Sequence, residues 1–214
     1  MEENVLIQSA DLSLEGRFRK GAKEGGVVIT HPHPLYGGSL DNNVVWTAVM
    51  AFQARGWATL RFNFRGVGDS GGAYGQGLKE VEDLAAALDF LKGRTSGPYH
   101  VVGYSFGAFV AARAMLQGLK ADGVLLIAPP IAFMEMAFLL QVPRAHLIIV
   151  GERDELCPLA DLKKMLAPAG EGAAERKAGP PKLTVVAGAD HFFRGREEQL
   201  FKLLRDYPWT EVAD

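Results

Sequence analysis

The sequence predicts an α/β fold in which helices cover both faces of a doubly wound, mostly parallel sheet of about eight strands. Short runs rich in Val, Ile and Leu recur along the chain, and segments with apolar residues at spacings of three and four lie between them. Nearly continuous apolar runs are typical of parallel strands buried on both sides, and the alternation implies right-handed crossovers. With 214 residues, 48% of them hydrophobic, the chain is expected to form a single domain over residues 1–214.

The strands follow in order from these runs. Residues 4–10 and 12–20 are expected to pair as an antiparallel hairpin at the edge of the sheet, joined near Asp11. The six further strands are expected over residues 25–31, 57–64, 99–105, 123–129, 145–152 and 182–189.

The segments between the strands predict five helices. They are expected over residues 43–56, 77–93, 106–118, 158–167 and 196–207. The first three reach Gly56, Gly93 and Gly118, where a glycine C-cap is expected to end each helix. Residues 167–182, rich in Gly, Ala, Pro and charge, are expected to form a mobile surface loop. Only residues 130–144 lie between the strands on either side of them, which leaves room for a short helix and not for a cap domain.

Composition excludes several classes of partner. The formal net charge is -2, so the chain lacks the concentrated basic surface that nucleic acid or an anionic membrane requires. Cys157 is the sole cysteine, which excludes an internal disulfide and a thiolate-rich zinc site. Residues 124–142 are apolar but are interrupted by two prolines and a glutamate, and the amino terminus carries no export signal. We expect a cytoplasmic protein.

The pentapeptide "GYSFG" at residues 103–107 carries the chemistry. It matches the G-x-S-x-G pattern, and it stands between an expected strand and an expected helix. A strand that turns this sharply into a helix holds Ser105 at strained dihedral angles and lifts its hydroxyl clear of the sheet, so small residues are needed on either side. The pattern predicts that Ser105 is a nucleophile.

A serine hydroxyl needs a general base, and the base needs a group that orients it. His191 and Asp154 follow the last two expected strands, so both lie at carboxyl ends, on the edge of the sheet where Ser105 projects. The order Ser, Asp, His is the one expected for a hydrolase of this topology. We therefore predict a Ser105–His191–Asp154 catalytic triad.

Three other carboxylates lie close to Asp154 or His191 in the sequence. Asp190 is adjacent to His191, so their side chains should diverge, and Glu152 is expected to belong to the preceding strand. Glu155 is the remaining alternative to Asp154. Cys157 has no elbow and no base of its own, so we interpret it as a packing residue.

From about residue 25 to its end, the chain resembles the α/β-hydrolase superfamily, in particular its small lidless bacterial serine hydrolases and esterases related to dienelactone hydrolases. The segments that carry the resemblance are "HPHPLYGG", "RFNFRGVGDSGG", "GYSFG", "GERDELCP" and "GADHFF". Dienelactone hydrolases have a cysteine at the elbow, where this chain has Ser105. The resemblance implies an oxyanion hole built from one N–H of the loop after the third strand and one from the residue after the nucleophile.

The loop "HPHPLYGG" begins at His31, and Pro32 and Pro34 have no N–H to donate. The expected oxyanion donors are therefore the amides of His33 and Phe106, with the amide of Leu35 in reserve. His31 is expected to bond to the backbone of its own loop. The alternative is that His31 and His33 are ligands of a metal ion in a metal-dependent hydrolase.

Five side chains are candidates for the substrate pocket. Tyr36 is expected at its mouth, and the apolar segment around Phe133 and Met134 lines either an acyl pocket or an ordinary core or dimer contact. Arg65 either recognises an acidic substrate or ties loops together. Leu35 completes this set.

The sequence thus predicts a carboxylesterase-like serine hydrolase (EC 3.1.1) that cleaves small-molecule esters or thioesters through an acyl-enzyme, without metal or cofactor. Two alternatives remain open besides the metal-dependent hydrolase: a peptidase that acts on short peptides, and a non-catalytic binding protein that retains the fold. The expected partner is a small-molecule substrate. The chain is expected to be a monomer or a homodimer, with no membrane or nucleic-acid partner.

Overall fold

The computed structural model describes residues 1–167 and 181–209, and these contain one eight-stranded sheet. The strand order is β1-β2-β4-β3-β5-β6-β7-β8. β1 pairs antiparallel with β2, and β2 pairs antiparallel with β4. The six strands β3 to β8 all run parallel to one another. The strands are β1 (Glu3–Ser9), β2 (Leu12–Arg19), β3 (Gly26–Thr30), β4 (Ala58–Phe62), β5 (Tyr99–Tyr104), β6 (Gly123–Ile127), β7 (Ala145–Gly151) and β8 (Lys182–Val186). The predicted mostly parallel sheet and its amino-terminal hairpin are confirmed.

The described residues contain five α-helices, of which four connect parallel strands and the fifth follows β8. They are α1 (Asn43–Ala54), α2 (Glu80–Lys92), α3 (Phe106–Leu116), α4 (Leu159–Leu166) and α5 (Glu197–Asp206). Short 3-10 helices occupy Pro34–Tyr36 and Ala137–Gln141. Within the described part of the chain, the β6–β7 connection contains the second of these and no cap domain, as expected. The predicted loop over 167–182 lies almost wholly outside the described residues.

The start of α2 differs from the sequence prediction. Gly77 has a φ of 76°, so the backbone there is left-handed and cannot continue into a right-handed helix. The carboxylate of Glu80 accepts hydrogen bonds from the amides of Gly75 and Gly77, at 2.6 and 2.8 Å, and the helix begins at Glu80. At the other end, Gly93 is the C-cap residue of α2, as expected, and its φ of -72° is right-handed.

The core has two apolar layers, one on each face of the sheet. Leu84 and Leu88 of α2 and Ala111 of α3 pack on one face, while Val45 of α1 and Leu200 of α5 pack on the other. This arrangement buries both sides of the parallel strands, which explains their nearly continuous apolar sequences. Among residues 1–167 and 181–209, none of the helices has the length and apolar character needed to cross a membrane.

Candidate active site

Ser105 occupies the turn between β5 and α3. Its φ and ψ are 53° and -117°, a strained conformation for a residue with a side chain. Its N–H donates to the carbonyl of Ile127 at 2.9 Å, and its own carbonyl accepts the amide of Ala108 at 2.8 Å. These two bonds hold Ser105 against the end of β6 (Gly123–Ile127) and against the first turn of α3.

The two glycines of "GYSFG" are required by close approach. A Cβ on Gly103 would lie 2.5 Å from the carbonyl oxygen of Gly107, and a Cβ on Gly107 would collide with the Thr30 hydroxyl and the His31 carbonyl. Side chains at these positions would push α3 away from β3 and β5. The sequence pattern thus reflects how tightly the turn is packed.

Ser105, His191 and Asp154 form one continuous hydrogen-bonded chain. The Ser105 Oγ lies 2.9 Å from the His191 Nε2, and the His191 Nδ1 lies 2.9 Å from each carboxylate oxygen of Asp154. All three residues are buried, with exposures of 4 to 6%. A carboxylate accepts hydrogen bonds only, so the imidazole carries its proton on Nδ1 and presents a lone pair at Nε2 to the hydroxyl.

The backbone around Asp154 fixes its carboxylate. Oδ1 accepts the amides of Leu156 and Cys157 at 2.9 and 2.8 Å, in addition to the imidazole. These bonds turn the carboxylate toward His191 and satisfy its charge in a buried position. They also explain why the segment after β7 folds back at this point.

The loop that carries His191 is held from two sides. The Tyr104 hydroxyl donates to the His191 carbonyl at 3.1 Å, and the Asn43 side chain donates to the Phe192 carbonyl at 2.9 Å. Burial raises the pKa of the Tyr104 hydroxyl, and the nearby Asp154 charge raises it further, so this group stays protonated and remains a donor.

The other acidic residues have different partners. Asp190 accepts the amide of Phe192 at 2.9 Å, and Glu152 accepts the amide of Gly188 at 2.8 Å, so both carboxylates stabilise turns. Glu155 is exposed to solvent. Burial, with a smaller contribution from Asp154, raises the pKa of the Cys157 thiol, which disfavours the reactive thiolate.

The two expected oxyanion donors, His33 and Phe106, line the same cleft as Ser105. Across residues 1–167 and 181–209, no hydrogen-bond acceptor is paired with the amide of His33 or of Phe106. The amide of Leu35, our reserve donor, is already bonded to the His33 Nδ1 at 3.2 Å. With Nδ1 accepting, the neutral His33 ring has its proton on Nε2 and donates it to the Tyr74 hydroxyl at 3.0 Å.

His31 is fully buried, and both of its ring nitrogens are bonded to backbone. Nδ1 donates to the Pro32 carbonyl at 2.7 Å, and Nε2 accepts the amide of Phe64 at 3.0 Å. Burial lowers the pKa of His31 to about 4, so the ring is neutral at physiological pH. Neither nitrogen has a lone pair free for a metal ion. No trio of His, Cys, Asp or Glu side chains gathers into a metal site in the described ranges.

A cleft of about 280 Å³ opens beside the Ser105 hydroxyl. Three of our five pocket candidates, Tyr36, Phe133 and Met134, line it. The other lining residues are Pro32, His33, Gly37, Gly38, Asn42, Tyr104, Ser105, Phe106, Pro130, Leu156, His191 and Phe192.

The remaining two pocket candidates do not line the cleft. The Leu35 side chain is 67% exposed and is not among the residues that line the cleft. Arg65 is buried and pairs with Asp83 at 2.7 Å and with Glu82 at 3.0 Å. The hydrogen bonds to Asp83 raise the pKa of this guanidinium. Of the two roles open for Arg65, these contacts favour the structural one, although they tie its loop to α2 and not to another loop.

Sequence reasoning missed several residues around the cleft. Tyr104 and Phe192 are adjacent to Ser105 and His191 in the chain, and that adjacency was the available signal. For Leu156, the corresponding signal was its position two residues after Asp154. Asn42 and Tyr74 reach the site from loops distant in sequence, and no local pattern marks them.

Comparison with known proteins identifies relatives across the chain. Residues 27–147 match the model of the alpha/beta hydrolase family. An uncharacterized protein of Rickettsia prowazekii (strain Madrid E) is 32% identical over 210 residues, which cover 95% of this chain and 87% of that protein.

Two solved structures extend the similarity. An alpha-beta serine hydrolase homologue from Coxiella burnetii is 36% identical, covers 95% of each chain and has a TM-score of 0.82. A serine hydrolase without lid from Xanthomonas campestris is 26% identical, covers 95% of this chain and 92% of that one, and has a TM-score of 0.83. The narrower resemblance to dienelactone hydrolases stays a prediction. By its matching family model and its relatives over nearly the whole length, this chain belongs to the alpha/beta hydrolase family.

Proposed function

We propose that this protein is a serine hydrolase that cleaves esters or thioesters of small acyl groups through an acyl-enzyme. The observation that carries the proposal is the continuous chain of 2.9 Å contacts from the Ser105 hydroxyl through His191 to Asp154. The serine hydrolases from Coxiella burnetii and Xanthomonas campestris support the same class of reaction.

In the first half-reaction, the His191 Nε2 takes the proton of Ser105 as Oγ attacks the carbonyl carbon of the ester. Asp154 stabilises the imidazolium that forms and keeps the ring in the tautomer that can accept a proton. The tetrahedral intermediate collapses as the imidazolium gives its proton to the departing alcohol or thiol. The acyl group then remains on the Ser105 Oγ.

In the second half-reaction, His191 takes a proton from water as the water attacks the acyl carbon. The bond from that carbon to the Ser105 Oγ then breaks, Oγ receives the proton from the imidazolium, and the acid is released. Negative charge develops on the carbonyl oxygen in both steps. The amides of His33 and Phe106 are the proposed donors to this oxygen, and each donor of this kind typically contributes about 3 to 4 kcal/mol to the transition state. Because neither amide has an acceptor among the described residues, both are available when the charge develops.

The test combines an active-site label with turnover. Wild-type protein should be labelled by a fluorophosphonate and should hydrolyse p-nitrophenyl butyrate, whereas Ser105→Ala should do neither. Cys157→Ala is the matched control, since it removes the one thiol of the chain, and it should retain both properties. Turnover that survives Ser105→Ala but is abolished by EDTA would favour a metal-dependent reaction. Wild-type protein that neither labels nor turns over esters would favour a binding protein.

A further inference from the structure

Four rings that line the cleft form a cluster around His33. The His33 ring centre lies 4.8 Å from that of Tyr36, 5.0 Å from that of Phe106 and 6.1 Å from that of Phe133. The plane of the His33 ring makes angles from 51° to 80° with the planes of the other three, so the cluster presents both ring faces and ring edges. We call these four residues the aromatic wall.

The outer part of the aromatic wall is exposed. Tyr36 is 74% exposed and Phe133 is 54% exposed, yet their ring centres lie 5.9 Å apart. One belongs to the loop after β3 and the other to the connection after β6, so the contact joins two distant parts of the chain across the mouth of the cleft. Two large rings placed together at a cleft, and facing solvent, mark a surface that binds an apolar group.

The cleft offers no charged partner to its occupant. Within the described residues, no Lys, Arg, Asp or Glu lines it. Arg65 is occupied by Asp83 and Glu82, and Arg194 lies over the Phe192 ring, 5.1 Å from its centre, without lining the cleft. A carboxylate or ammonium group on the acyl part of a substrate would lose hydration here and gain no opposite charge.

The size of the cleft limits the acyl group. Its volume of about 280 Å³ lies just below the range of roughly 300–1,000 Å³ that is usual for ligand pockets. A single ring with a short substituent suits that space, and a long alkyl chain would extend into solvent. A planar ring meets both faces and edges of the aromatic wall, which are the arrangements that aromatic pairs prefer.

We propose that the site is selective for esters of small, uncharged aromatic acids, with the acyl ring held against the aromatic wall. This inference rests on the proposed serine hydrolase function and specifies its substrate class. It assigns Tyr36 and Phe133 the role of contacting the acyl group.

The test uses methyl esters, because methanol adds no ring on the leaving-group side. Initial rates are followed by pH-stat titration, and each kcat/KM is divided by the rate constant for hydrolysis of the same ester by hydroxide, which removes differences in intrinsic reactivity. Benzoate should exceed cyclohexanecarboxylate, which has a similar size but no aromatic face, by about fivefold or more. 4-Methylbenzoate should exceed 4-carboxybenzoate by about a hundredfold, and decanoate should be hydrolysed no better than benzoate.

Two variants test whether Phe133 contributes to the selectivity for an aromatic acyl group. Phe133→Ala should lower kcat/KM for methyl benzoate about tenfold while changing that for methyl acetate less than about twofold. Leu78→Ala is the matched control, since Leu78 is also 54% exposed but lies outside the cleft, and it should change neither value.

The outcomes separate this inference from the function on which it rests. If fluorophosphonate labels Ser105 and esters are hydrolysed, but benzoate and cyclohexanecarboxylate react alike or the charged ester reacts as well as the neutral one, the substrate class is wrong and the serine hydrolase stands. The same holds if selectivity for a ring appears only between phenyl acetate and cyclohexyl acetate, which would place the ring on the leaving-group side. Absence of both labelling and hydrolysis would overturn the two together.

Discussion

Replacing Asp154 by asparagine should give the imidazole of His191 the wrong tautomer. In the native site, Oδ1 of Asp154 accepts two backbone amides, at 2.9 and 2.8 Å, and these donors do not move when the side chain changes. The amide oxygen of the asparagine must therefore take that position, because its NH2 group would oppose two N–H donors there. The NH2 group then takes the position of the second carboxylate oxygen. The His191 Nδ1 lies 2.9 Å from both oxygen positions, and a proton on Nδ1 would point at the hydrogens of that NH2 group.

The size of the effect follows from that orientation. An NH2 group donates to Nδ1, so the neutral ring holds its proton on Nε2, the nitrogen that lies 2.9 Å from the Ser105 hydroxyl. The ring can no longer accept the serine proton, and the imidazolium also loses its counter-charge. Loss of the aspartate in such a triad lowers kcat by about 10⁴, equivalent to about 5 kcal/mol in the barrier.

The assay compares kcat for an activated ester at pH 7 between wild type, Asp154→Asn and Asp190→Asn. The last is a matched control, because it makes the same change one residue from His191 and its oxygen can still accept the Phe192 amide. It should alter kcat less than about threefold. Thermal unfolding of each variant establishes that the fold is intact. An Asp154→Asn enzyme that keeps more than about a tenth of wild-type kcat, or an equal loss in both variants, would refute the tautomer argument.

Three further predictions concern the surroundings of the site. Asp83→Asn breaks a buried pair with Arg65 and should cost about 3 to 5 kcal/mol of unfolding free energy, or roughly 7 to 11 °C in Tm for a chain of this length. Glu82→Gln alters the exposed partner of the same arginine and should cost less than about 1 kcal/mol. Equal losses of the two variants in urea titrations would contradict this prediction. His31 has a pKa of about 4 in the folded protein and an ordinary pKa of 6.5 when unfolded, so between pH 6.5 and pH 5 it is mainly the unfolded state that gains this proton. Stability should therefore fall by about 1.6 kcal/mol from pH 6.5 to pH 5 on account of this group. NMR titration should find the His31 ring neutral at pH 5, and a midpoint near 6.5 would be inconsistent with the burial argument. Tyr74→Phe removes the acceptor of the His33 ring, whose backbone amide is a proposed oxyanion donor. It should lower kcat about fivefold with KM nearly unchanged, because that donor would act on the charge of the transition state; a change in KM alone would assign Tyr74 to substrate binding instead.

The sequence contained enough to place most of the fold, for identifiable reasons. Strands buried on both faces must be apolar throughout, so β3 and β5 to β7 were recognisable from composition, and the "GYSFG" turn was recognisable because steric contact leaves no alternative to its glycines. The start of α2 was misplaced because helical periodicity continues through residues 77–79, while the left-handed Gly77 and the carboxylate of Glu80 end the loop there.

The surroundings of the site were harder to predict, because they depend on contacts between distant segments. The partner of Arg65 is Asp83, eighteen residues later on a helix, and local sequence cannot show whether an arginine faces a substrate or such a partner. Tyr74 reaches the His33 ring from 41 residues away, within a loop that has no periodic pattern. Side chains set by tertiary packing leave no periodic signal in one sequence, whereas backbone constraints do.

The contact between Tyr36 and Phe133 bears on how this enzyme can diversify. Both rings are largely exposed and lie on loops, so exchanging either one changes little of the buried core, and surface replacements of this kind usually alter stability by less than about 0.5 kcal/mol. In a protein whose cleft is covered by a hinged lid, a substitution that changes substrate preference must also leave the movement of that lid intact. Here two solvent-facing residues, Tyr36 and Phe133, lie at the mouth of the cleft. A library that varies positions 36 and 133 together can therefore be screened for altered acyl-group preference without any change to Ser105, His191 or Asp154.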